Sequence, residues 1–340
     1  MPEPTAVPMQ SAIPPQAQLA EIGLGLWRTR AITIAAELEL ADHLASGSLH
    51  LDELASRTKT HASSLFRLLR ALESIGVFEQ TSPRVFGNTP MSNCLRKSVP
   101  GSSWAIMRSL FSVGEGEYEA WAGLLDTIQT GRIAFDQIHG CNFWEFLRRN
   151  PSQAAIFNES MRSASSLGTP VITGAYDWSR FPVIADIGGG IGTQLIDILN
   201  AHASCRGILF DRPDVLAQAI PHDRVRGVGG SFLESVPSGA DAYILRSTIH
   251  DWADAESVAI LKNVRTAMKQ DSRVILIERI VSDTPEPDLT KWLDLHMLVV
   301  AGGQERTAAE YAELYRKAGL EVEQIVPTPS RFRLIFGRPV

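Results

Sequence analysis

The sequence predicts an α/β protein built from a mainly helical N-terminal half and an open α/β C-terminal half. Its 340 residues are about twice the length of an ordinary domain, so two folding units are expected. From Leu19 to about Ser166 the apolar residues recur at helical spacing. From Phe181 to Val340 short apolar runs alternate with amphipathic helical patterns, which is typical of βαβ units around a parallel sheet that is covered on both faces.

We expect the chain to divide into three segments, at residues 1–18, 19–165 and 166–340. The first contains five prolines and neither a basic nor an apolar stretch, so it is expected to be a flexible tail rather than a signal peptide or a membrane anchor. The second is the helical half, and the third is the α/β half. No apolar run approaches the roughly 18 residues that a membrane span needs.

Composition and charge exclude several classes of protein. The chain is 44% hydrophobic and 21% charged, which is ordinary globular usage and excludes collagen-like, coiled-coil and disordered chains. A net charge of -6 argues against nucleic acid as the main partner, because phosphate binding depends on clustered Lys and Arg. The three cysteines lack the spacing of zinc or disulfide sites, so we expect no metal and a reducing, cytoplasmic location.

Within the helical half, the segment from Leu49 to Glu79 predicts two helices followed by a hairpin, which is the outline of a winged helix. Arg67 and Arg70 lie on the second helix, where a DNA-binding winged helix would contact bases. From Asp52 to Glu79, however, four basic residues are balanced by four acidic ones. The segment has no net positive charge, which favours a packing and dimerisation platform over a DNA reader.

The C-terminal half begins with a glycine loop, VIADIGGGIG from Val183 to Gly192, between a buried strand and an amphipathic helix. Gly188 and Gly190 allow a tight turn and close approach of a ligand to the backbone. A dinucleotide fingerprint would have a further glycine at Thr193, and the acidic Asp186 at the end of the strand would repel a pyrophosphate. We therefore expect Asp186, Gly188 and Gly190 to border a cationic cofactor.

A second acid, Asp211, ends the next strand, about twenty residues after the glycine loop. Its two carboxylate oxygens suit the two hydroxyls of a ribose. Alternatively, the loop is a simple strand-to-helix turn and Asp211 caps the helix that begins near Pro213. The combination of loop and acid at this spacing favours a nucleoside site over that alternative.

Five blocks occur in order along the chain: DIGGGIG, FDRPDV, LRSTIHDWAD, IERIV, and GGQERT with AGL. In these blocks, and over nearly its whole length, the chain resembles the S-adenosylmethionine-dependent small-molecule O-methyltransferases. That family includes plant caffeate and flavonoid enzymes and bacterial enzymes acting on phenazines and aromatic polyketides. The resemblance implies a winged-helix-like N-terminal dimerisation domain, a C-terminal Rossmann-like class I methyltransferase domain, a homodimer, S-adenosylmethionine as cofactor and an aromatic small molecule as substrate.

The resemblance also implies roles for residues near the cofactor. The glycine loop holds the methionine end, Ser165 reaches the methionine carboxylate, and Asp211 binds the ribose. Arg246 occupies a position where a basic residue lies near the adenine. Many relatives have an Asp for the adenine amino group where this chain has Ser231, and Phe232 is then expected to contribute stacking.

Methylation of a phenol requires loss of a proton, since a phenol with a pKa of about 10 is mostly neutral at pH 7. His250 follows the apolar strand AYILRSTI, at the sheet edge where open α/β proteins bind their ligands. By position alone it is equally well a packed strand-end residue, beside a helix capped by Asp251 or Asp254. The resemblance implies that His250 is the general base.

Two acids, Glu278 and Glu305, are candidate partners of that histidine. Glu278 ends the strand RVILIE, and Glu305 lies in GGQERT after two glycines that allow a tight loop. The resemblance implies that both carboxylates orient the histidine ring and stabilise its imidazolium form. The alternative is a solvated strand-end acid and an acid near the cap of the next helix.

The aromatic-rich segment from Trp104 to Phe157 and the region of Met297 supply the expected substrate pocket. The resemblance adds Met161, which matches a methionine lining this pocket, and Asp251 beside the base is a further candidate contact. We expect an apolar cleft between the two halves that suits a flat polycyclic aromatic. Aromatic residues at helical spacing also build cores, so part of this segment is expected to be packing.

The favoured function is methylation of a hydroxyl on an aromatic secondary metabolite of the phenazine or aromatic polyketide type. Within the same family, methylation at nitrogen stays open, as does a relative that binds the methyl donor but catalyses hydroxylation or decarboxylation. The alternative from another class is a cofactor-sensing winged-helix transcription factor.

Overall fold

The computed structural model of the protein describes residues 13–340, except for the side chain of Leu167. Contacts divide the chain between Ser112 and Val113 into two compact units. The sequence places this division after residue 165 instead. The difference arises because the helices that follow Val113 pack in one core with a helix of the C-terminal sheet domain, so they belong to the second unit.

The first unit is mainly helical and has the outline of a winged helix, as predicted. Its elements in chain order are α1 (Pro15–Gly23), α2 (Gly25–Glu37), α3 (Leu40–His43), β1 (Leu49–His50), α4 (Leu51–Thr58), α5 (Ala62–Glu73), β2 (Phe78–Ser82), β3 (Val85–Asn88), α6 (Pro90–Asn93) and α7 (Trp104–Phe111). The strands form an antiparallel sheet in the order β1-β3-β2. Residues 15–18 of the predicted tail are helical, and residues 1–12 lie outside the described part.

The core of the first unit forms where two amphipathic helices meet the small sheet. Leu51 and Leu54 of α4 lie in one cluster with Leu69 and Leu72 of α5, and Phe86 of β3 completes it. All five side chains are fully buried, and burial of such a side chain stabilises a fold by about 1.5–3 kcal/mol. The apolar spacing of these helices therefore accounts for the predicted winged-helix fold.

The second unit begins with helices that contain many of the aromatic residues noted in the sequence. They are α8 (Glu117–Ala120), α9 (Leu124–Thr130), α10 (Ala134–His139), α11 (Phe143–Arg149) and α12 (Pro151–Thr173), with a 3-10 turn at Trp121–Gly123. The Asn142 side chain caps α11 by accepting a hydrogen bond from the Glu145 N–H. Phe135 and Phe143 pack with Val299 and Val300 of the sheet domain. The predicted boundary at residue 165 falls inside α12.

The remainder of the second unit is a seven-stranded sheet with helices between its strands. In chain order the elements are β4 (Val183–Ile187), α13 (Thr193–Ala201), β5 (Arg206–Asp211), α14 (Pro213–Leu216), β6 (Val225–Gly229), β7 (Ala242–Arg246), α15 (Asp254–Ala267), β8 (Arg273–Arg279), α16 (Leu289–Val300), α17 (Ala308–Lys317), β9 (Leu320–Pro327) and β10 (Phe332–Pro339). Their order in the sheet is β6-β5-β4-β7-β8-β10-β9. The strands β4 to β8 are parallel, and β10 runs antiparallel to β8 and β9. The predicted open, mostly parallel sheet is confirmed.

Both faces of this sheet are buried, as its nearly continuous apolar strands predict. Ile187 and Leu245 join the cluster on one face, while Ile184 and Ile244 join the cluster on the other. The parallel strands end together, so the residues at their carboxyl ends form one edge of the sheet. Across residues 13–340, no helix is long and apolar enough to cross a membrane.

Candidate active site

The carboxyl edge of the sheet brings together the polar strand-end residues that the sequence singled out. Asp211 ends β5, Asp186 lies near the end of β4, Arg246 ends β7, and Glu278 lies near the end of β8. Because the strands are ordered β5-β4-β7-β8, these side chains follow one another along the edge in that sequence. Open α/β sheets bind their ligands at this edge.

The glycine loop after β4 requires glycine for two separate reasons. Gly188 and Gly190 have φ angles of 69° and 60°, in the left-handed region that disfavours other residues. Gly189 has no such angle, but a Cβ there would lie 2.5 Å from Cγ of Asp186 and 2.6 Å from Cδ1 of Leu209. A Cβ on Gly190 would meet no atom within 4 Å, so open space lies in front of the loop.

Asp211 is fixed by the backbone on both sides of its carboxylate. Its Oδ2 accepts a hydrogen bond from the Gly190 N–H at 2.8 Å, and its Oδ1 accepts one from the Arg212 N–H at 2.7 Å. The N-cap of α14 is Arg212, not Asp211. The arrangement ties the acid to the glycine loop and differs from the simple capping role that the sequence left open.

A cavity of about 600 Å³ lies against the glycine loop. Its lining includes Met161, Ser165, Asp186, Gly188, Gly190 and Arg246. Asp186 is 1% exposed, and among the described residues its Oδ2 has no hydrogen-bond partner. Burial raises the pKa of Asp186 to about 7, although the nearby Arg246 guanidinium opposes the rise. A buried carboxylate with an unpaired oxygen suits a cationic group in this cavity.

Arg246 lies on the Ser165 side of the glycine loop. Its Nη1 donates to Thr169 Oγ1 at 2.6 Å and to Gln194 Oε1 at 2.9 Å. Thr169 is one turn along α12 from Ser165 and donates to its carbonyl oxygen. Burial lowers the pKa of Arg246 to about 10, which leaves the guanidinium charged at neutral pH.

Ser231 and Phe232 follow β6, on the other side of the glycine loop from Arg246. A Cβ on Gly188 would lie 3.3 Å from the Phe232 ring, and Asn263 Nδ2 donates to the Phe232 carbonyl at 2.9 Å. The Phe232 ring also packs edge-to-face against Trp252, which follows the His250 turn, with ring centroids 5.7 Å apart. Phe232 therefore contacts residues beside both the glycine loop and the His250 turn.

His250 lies in a 3-10 turn, Ile249–Asp251, directly after β7. It is 8% exposed, and its Nδ1 is 2.8 Å from Oε1 of Glu305, which is itself 2% exposed. On the other side of the ring, Nε2 is 3.4 Å from Oδ1 of Asp251. The helix that follows has Ala253 as its N-cap, so neither Asp251 nor Asp254 has the capping role left open above.

Glu278 and Glu305 have different roles in this arrangement. Oε1 of Glu278 accepts hydrogen bonds from the N–H groups of Thr248 and Ile249, each at 2.9 Å. It supports the backbone of the turn, whereas the hydrogen-bond partner of the His250 ring is Glu305. Glu278 thus acts on the ring through the backbone of the turn and through its charge, and its role in orienting the ring stays a prediction.

The carboxylates around His250 determine its charge. Burial disfavours the charged ring, but Asp251, Glu278 and Glu305 outweigh it and raise the pKa of His250 to about 10. Burial also raises the pKa of Glu278 to about 7 and that of Asp251 to about 6, with His250 opposing both. Arg279 is a cation beside the group, with Nη1 3.8 Å from Oε1 of Glu305.

The residues expected to contact substrate lie in different surroundings. Met161 is exposed and borders the cavity at the glycine loop, whereas Met297 is 7% exposed on α16. Phe157 packs edge-to-face against Phe143, with ring centroids 5.1 Å apart, and so forms part of an aromatic cluster. Asp251 is adjacent to the base candidate. Phe157 therefore has a packing role, which the sequence predicts for part of this segment, and its contact with substrate stays a prediction.

Three positions near these residues carry contacts that the sequence did not indicate. Thr169 and Gln194 bind Arg246, and Arg306 is fully buried beside the His250 turn. The signals available in the sequence were a glutamine directly after the glycine loop and a second charged residue next to Glu305. Across the described residues, no group of three or more His, Cys, Asp and Glu side chains is placed to hold a metal ion.

Fold and site together define a class I methyltransferase, an enzyme that transfers the methyl group of S-adenosylmethionine. The chain belongs to the O-methyltransferase family. A family model described as an O-methyltransferase domain matches residues 121–321, and one described as an O-methyltransferase dimerisation domain matches residues 20–98. The predicted family, cofactor and N-terminal dimerisation domain are confirmed.

Similar proteins cover nearly the whole chain. The phenazine O-methyltransferase PhzM of Lysobacter antibioticus is 39% identical over 338 residues, which are 97% of this chain and 98% of that protein. A phenazine-1-carboxylate N-methyltransferase of Pseudomonas aeruginosa is 33% identical, over 93% of this chain and 95% of that protein.

Solved structures agree with this assignment. A crystal structure of LaPhzM has a TM-score of 0.91 at 38% identity and covers 96% of this chain and 100% of that one. The O-methyltransferase NcsB1 from neocarzinostatin biosynthesis, solved with S-adenosylmethionine and 2-hydroxy-5-methyl naphthoic acid, has a TM-score of 0.82 at 31% identity, over 97% and 100% of the two chains.

Proposed function

We propose that this enzyme methylates a hydroxyl of an aromatic secondary metabolite, of the phenazine or aromatic polyketide type, with His250 as general base. The observation that carries the proposal is the buried pair of His250 and Glu305, 2.8 Å apart at the carboxyl edge of the sheet. An Nδ1–H that donates to Glu305 makes Nε2, which lies 3.4 Å from Oδ1 of Asp251, the ring atom that accepts the proton of an acceptor hydroxyl once the ring is neutral. The names of the relatives, which include phenazine and naphthoate enzymes, support the class of substrate.

The residues at the glycine loop fit the cofactor. Asp186 offers a buried, unpaired carboxylate oxygen to a cationic group, and Asp211 presents a fixed carboxylate to a ribose. Ser165 and Arg246 suit the methionine carboxylate, because a guanidinium and a hydroxyl both donate to it. When bound, S-adenosylmethionine supplies an electrophilic methyl group on a sulfonium.

Ser231 and Phe232 are the proposed adenine contacts. Phe232 lies against the glycine loop and offers an apolar face, and the Ser231 hydroxyl is a hydrogen-bonding group after β6. Arg246 is proposed as a ligand of the methionine carboxylate, and its expected place near the adenine stays a prediction. Ser231 and Phe232, Asp211, Asp186 and Arg246 then follow the order β6-β5-β4-β7, and Ser165 lies on α12.

His250 has to lose a proton before it can act as a base. Its raised pKa means that the ring is protonated in the free enzyme at neutral pH. A positive charge bound at the neighbouring glycine loop lowers the pKa of the ring, since two nearby cations repel. The ring then loses its Nε2 proton to solvent, and the neutral imidazole takes the proton of the acceptor hydroxyl as its oxygen attacks.

Methylation at nitrogen is the second candidate, because one relative is an N-methyltransferase. An aromatic ring nitrogen attacks through its lone pair and loses no proton, so it does not need the His250–Glu305 pair. The presence of that buried pair favours a hydroxyl acceptor over a ring nitrogen. It equally favours proton-coupled methylation over the hydroxylase or decarboxylase alternative.

The test is a panel of hydroxylated and amino-substituted phenazines and naphthoates, assayed with isotope-labelled S-adenosylmethionine. We expect label in an O-methyl product, identified by mass spectrometry and NMR, and a loss of turnover in His250→Gln with cofactor affinity retained. Label at nitrogen would replace the O-methylation proposal by its alternative. Wild-type turnover in His250→Gln at neutral pH would remove the base role.

A homodimer is proposed from an exposed apolar face in the first unit. Leu19, Ile22, Leu26 and Trp27 on α1 and α2 are each more than half exposed. The last three lie in the segment that matches the dimerisation domain, and Leu19 directly precedes it. Burial of such a face against a second copy removes apolar surface from water. Light scattering of the full chain should give the mass of a dimer, and Trp27→Glu should shift it towards the monomer. Family membership favours this scaffold role over the transcription-factor alternative.

A further inference from the structure

Arg306 is fully buried and directly follows Glu305, the partner of the His250 ring. Its guanidinium donates to the carbonyl oxygens of Ile249 at 3.3 Å and Trp252 at 2.9 Å, on either side of His250 in the chain. It also donates to the carbonyl of Gln304, two residues earlier in the chain, at 3.1 Å. A buried charge is costly unless it is paired or hydrogen-bonded, so these contacts compensate the burial of the Arg306 guanidinium.

The turn that carries His250 is held between two opposite charges. At the start of the turn, the Glu278 carboxylate accepts from the N–H groups of Thr248 and Ile249. Free N–H groups at the start of a helical turn carry partial positive charge, so the carboxylate complements that end. The Arg306 guanidinium donates to the carbonyl of Ile249, the first residue of the turn, and to that of Trp252, which directly follows it. The anion therefore binds N–H groups of the turn, and the cation binds carbonyls before and after His250.

The segment containing Arg306 also binds the turn through its backbone. The Gln304 N–H donates to the His250 carbonyl at 2.8 Å. A Cβ on Gly303 would lie 2.1 Å from the same carbonyl, so the two backbones approach as closely as glycine allows. Asp254 completes the contacts of the guanidinium, with Oδ1 2.9 Å from Nη2 on the side that faces solvent.

We propose that Arg306 is a positioning residue for methyl transfer, which fixes the His250 turn relative to Glu305 and so sets the distance between the ring and its carboxylate partner. The inference rests on the proposed function of His250 as base. Glu305 and Arg306 are consecutive, so one backbone segment contacts the ring with one side chain and the turn with the next. Displacement of the turn therefore changes the Nδ1–Oε1 distance directly.

The chain offers a matched control for this arginine. Arg224 also donates hydrogen bonds to backbone carbonyls, from Nη2 to the Leu199 oxygen at 2.6 Å and from Nη1 to the Cys205 oxygen at 2.9 Å. It precedes β6, so it lies at the amino edge of the sheet, away from the candidate active site. Loss of either arginine removes hydrogen-bond donors from several backbone carbonyls, but only Arg306 lies beside His250.

The experiment compares Arg306→Met, Arg306→Lys and Arg224→Met in the full chain. Methyl transfer is followed with S-adenosylmethionine and 1-hydroxyphenazine or the best acceptor of the panel above, cofactor affinity by calorimetry, and folding by Tm. We expect kcat to fall about 100-fold in Arg306→Met, because a small misplacement of a catalytic group has that effect, while cofactor affinity is retained. Arg306→Lys keeps the charge but not the planar fork, so its loss should be intermediate. Arg224→Met should lower Tm and leave kcat unchanged.

Two further readouts separate positioning from a purely structural role. In a His250→Gln background, Arg306→Met should cause no further loss of kcat, because its effect acts through the ring. In the free enzyme, nitrogen-15 NMR of His250 should show a hydrogen-bonded Nδ1 proton that is weakened in both Arg306 variants and retained in Arg224→Met.

The outcomes distinguish this inference from the proposed function. Folded Arg306 variants with wild-type kcat, or losses that add fully to that of His250→Gln, would overturn the positioning role while leaving the base intact. Wild-type turnover in His250→Gln would instead overturn the base, and the NMR signal alone would then decide whether Arg306 orders the ring. If Arg306→Met does not fold, Arg306→Lys and Asp254→Ala, which removes the solvent-side partner of the guanidinium, carry the same comparison.

Discussion

Asp186 should destabilise the free enzyme at alkaline pH, and Asp186→Asn should relieve this. The pKa of Asp186 is about 7 in the fold against 3.8 for an unperturbed carboxyl. A raised pKa means that the folded protein holds the proton more tightly than the unfolded chain does. Stability is therefore fully present at low pH and is lost as pH rises through the folded pKa, by about 4 kcal/mol at pH 8.

The Asn side chain keeps the shape of the acid without its charge. We expect Asp186→Asn to raise the free energy of unfolding of cofactor-free protein by about 2–4 kcal/mol at pH 8 and by about 1 kcal/mol at pH 4.5. Hydrogen exchange of the β4 amides measures this locally, which avoids assuming that both units unfold together. Asp283→Asn, at an exposed acid, is the matched control and should change neither value.

With S-adenosylmethionine bound at pH 8, the wild type should be more stable than Asp186→Asn, the reverse of their order without cofactor. Binding to the fold alone stabilises the wild type, whereas the variant lacks the carboxylate proposed for the cationic group and should gain little at the same concentration. A variant that is no more stable than the wild type at pH 8, or a gain that does not depend on pH, would show that Asp186 does not hold its proton more tightly in the fold. Equal stabilisation of both proteins by the cofactor would instead contradict the proposed contact between Asp186 and the cationic group.

Three further perturbations test the site. Glu305→Gln removes the charge 2.8 Å from His250 Nδ1, so the pKa of the ring should fall by about 1–3 pH units; histidine NMR titration and the pH profile of kcat check this, and an unchanged ring pKa would contradict it. Gly189→Ala places a Cβ 2.5 Å from Asp186 Cγ. The clash should cost about 1–3 kcal/mol of stability and weaken cofactor binding, measured by calorimetry. In the control Gly227→Ala the new Cβ meets nothing within 4 Å, so this variant should bind the cofactor normally. Asp211→Asn should weaken S-adenosylmethionine binding. It should lower Tm modestly, because the amide oxygen still accepts from the Gly190 N–H but the amide NH2 then faces the Arg212 N–H. Cofactor affinity equal to wild type would argue against the ribose role.

Local features of the site could be predicted from the sequence because they depend on short-range geometry. A strand, a glycine turn and a helix occupy consecutive residues, so the loop from Asp186 to Gly190 is visible as a pattern. Asp211 follows at the spacing that the next parallel strand imposes. The carboxyl edge of the sheet then places both acids near each other, as observed.

Contacts between distant segments required the resemblance or escaped prediction. Glu305 is 55 residues from His250, and nothing in its local sequence distinguishes it from a solvated acid. The expected place of Arg246 near the adenine stays a prediction, whereas its contacts with α12 and α13 depend on strand order and packing that the sequence does not show. Arginine is usually a surface residue, and only the packed structure shows that backbone carbonyls surround Arg306.

The domain boundary differed for a similar reason. The sequence from residue 113 to 165 is helical, and its periodicity does not indicate which neighbouring unit its apolar faces join. Phe135 and Phe143 pack with Val299 and Val300, more than 150 residues further along the chain. Helical pattern assigns an element type, whereas assignment to a folding unit depends on its packing partners.

The segment between α16 and α17 has a fixed length as a consequence of its contacts. Within four consecutive residues it presents Gly303 and Gln304 to the His250 carbonyl, Glu305 to the ring and Arg306 to the turn. Insertion or deletion of one residue would exchange these assignments, so natural and designed diversity should avoid this segment. The loop between β8 and α16, whose residues 283–287 are exposed, is the better place for insertions that reshape the surroundings of the site.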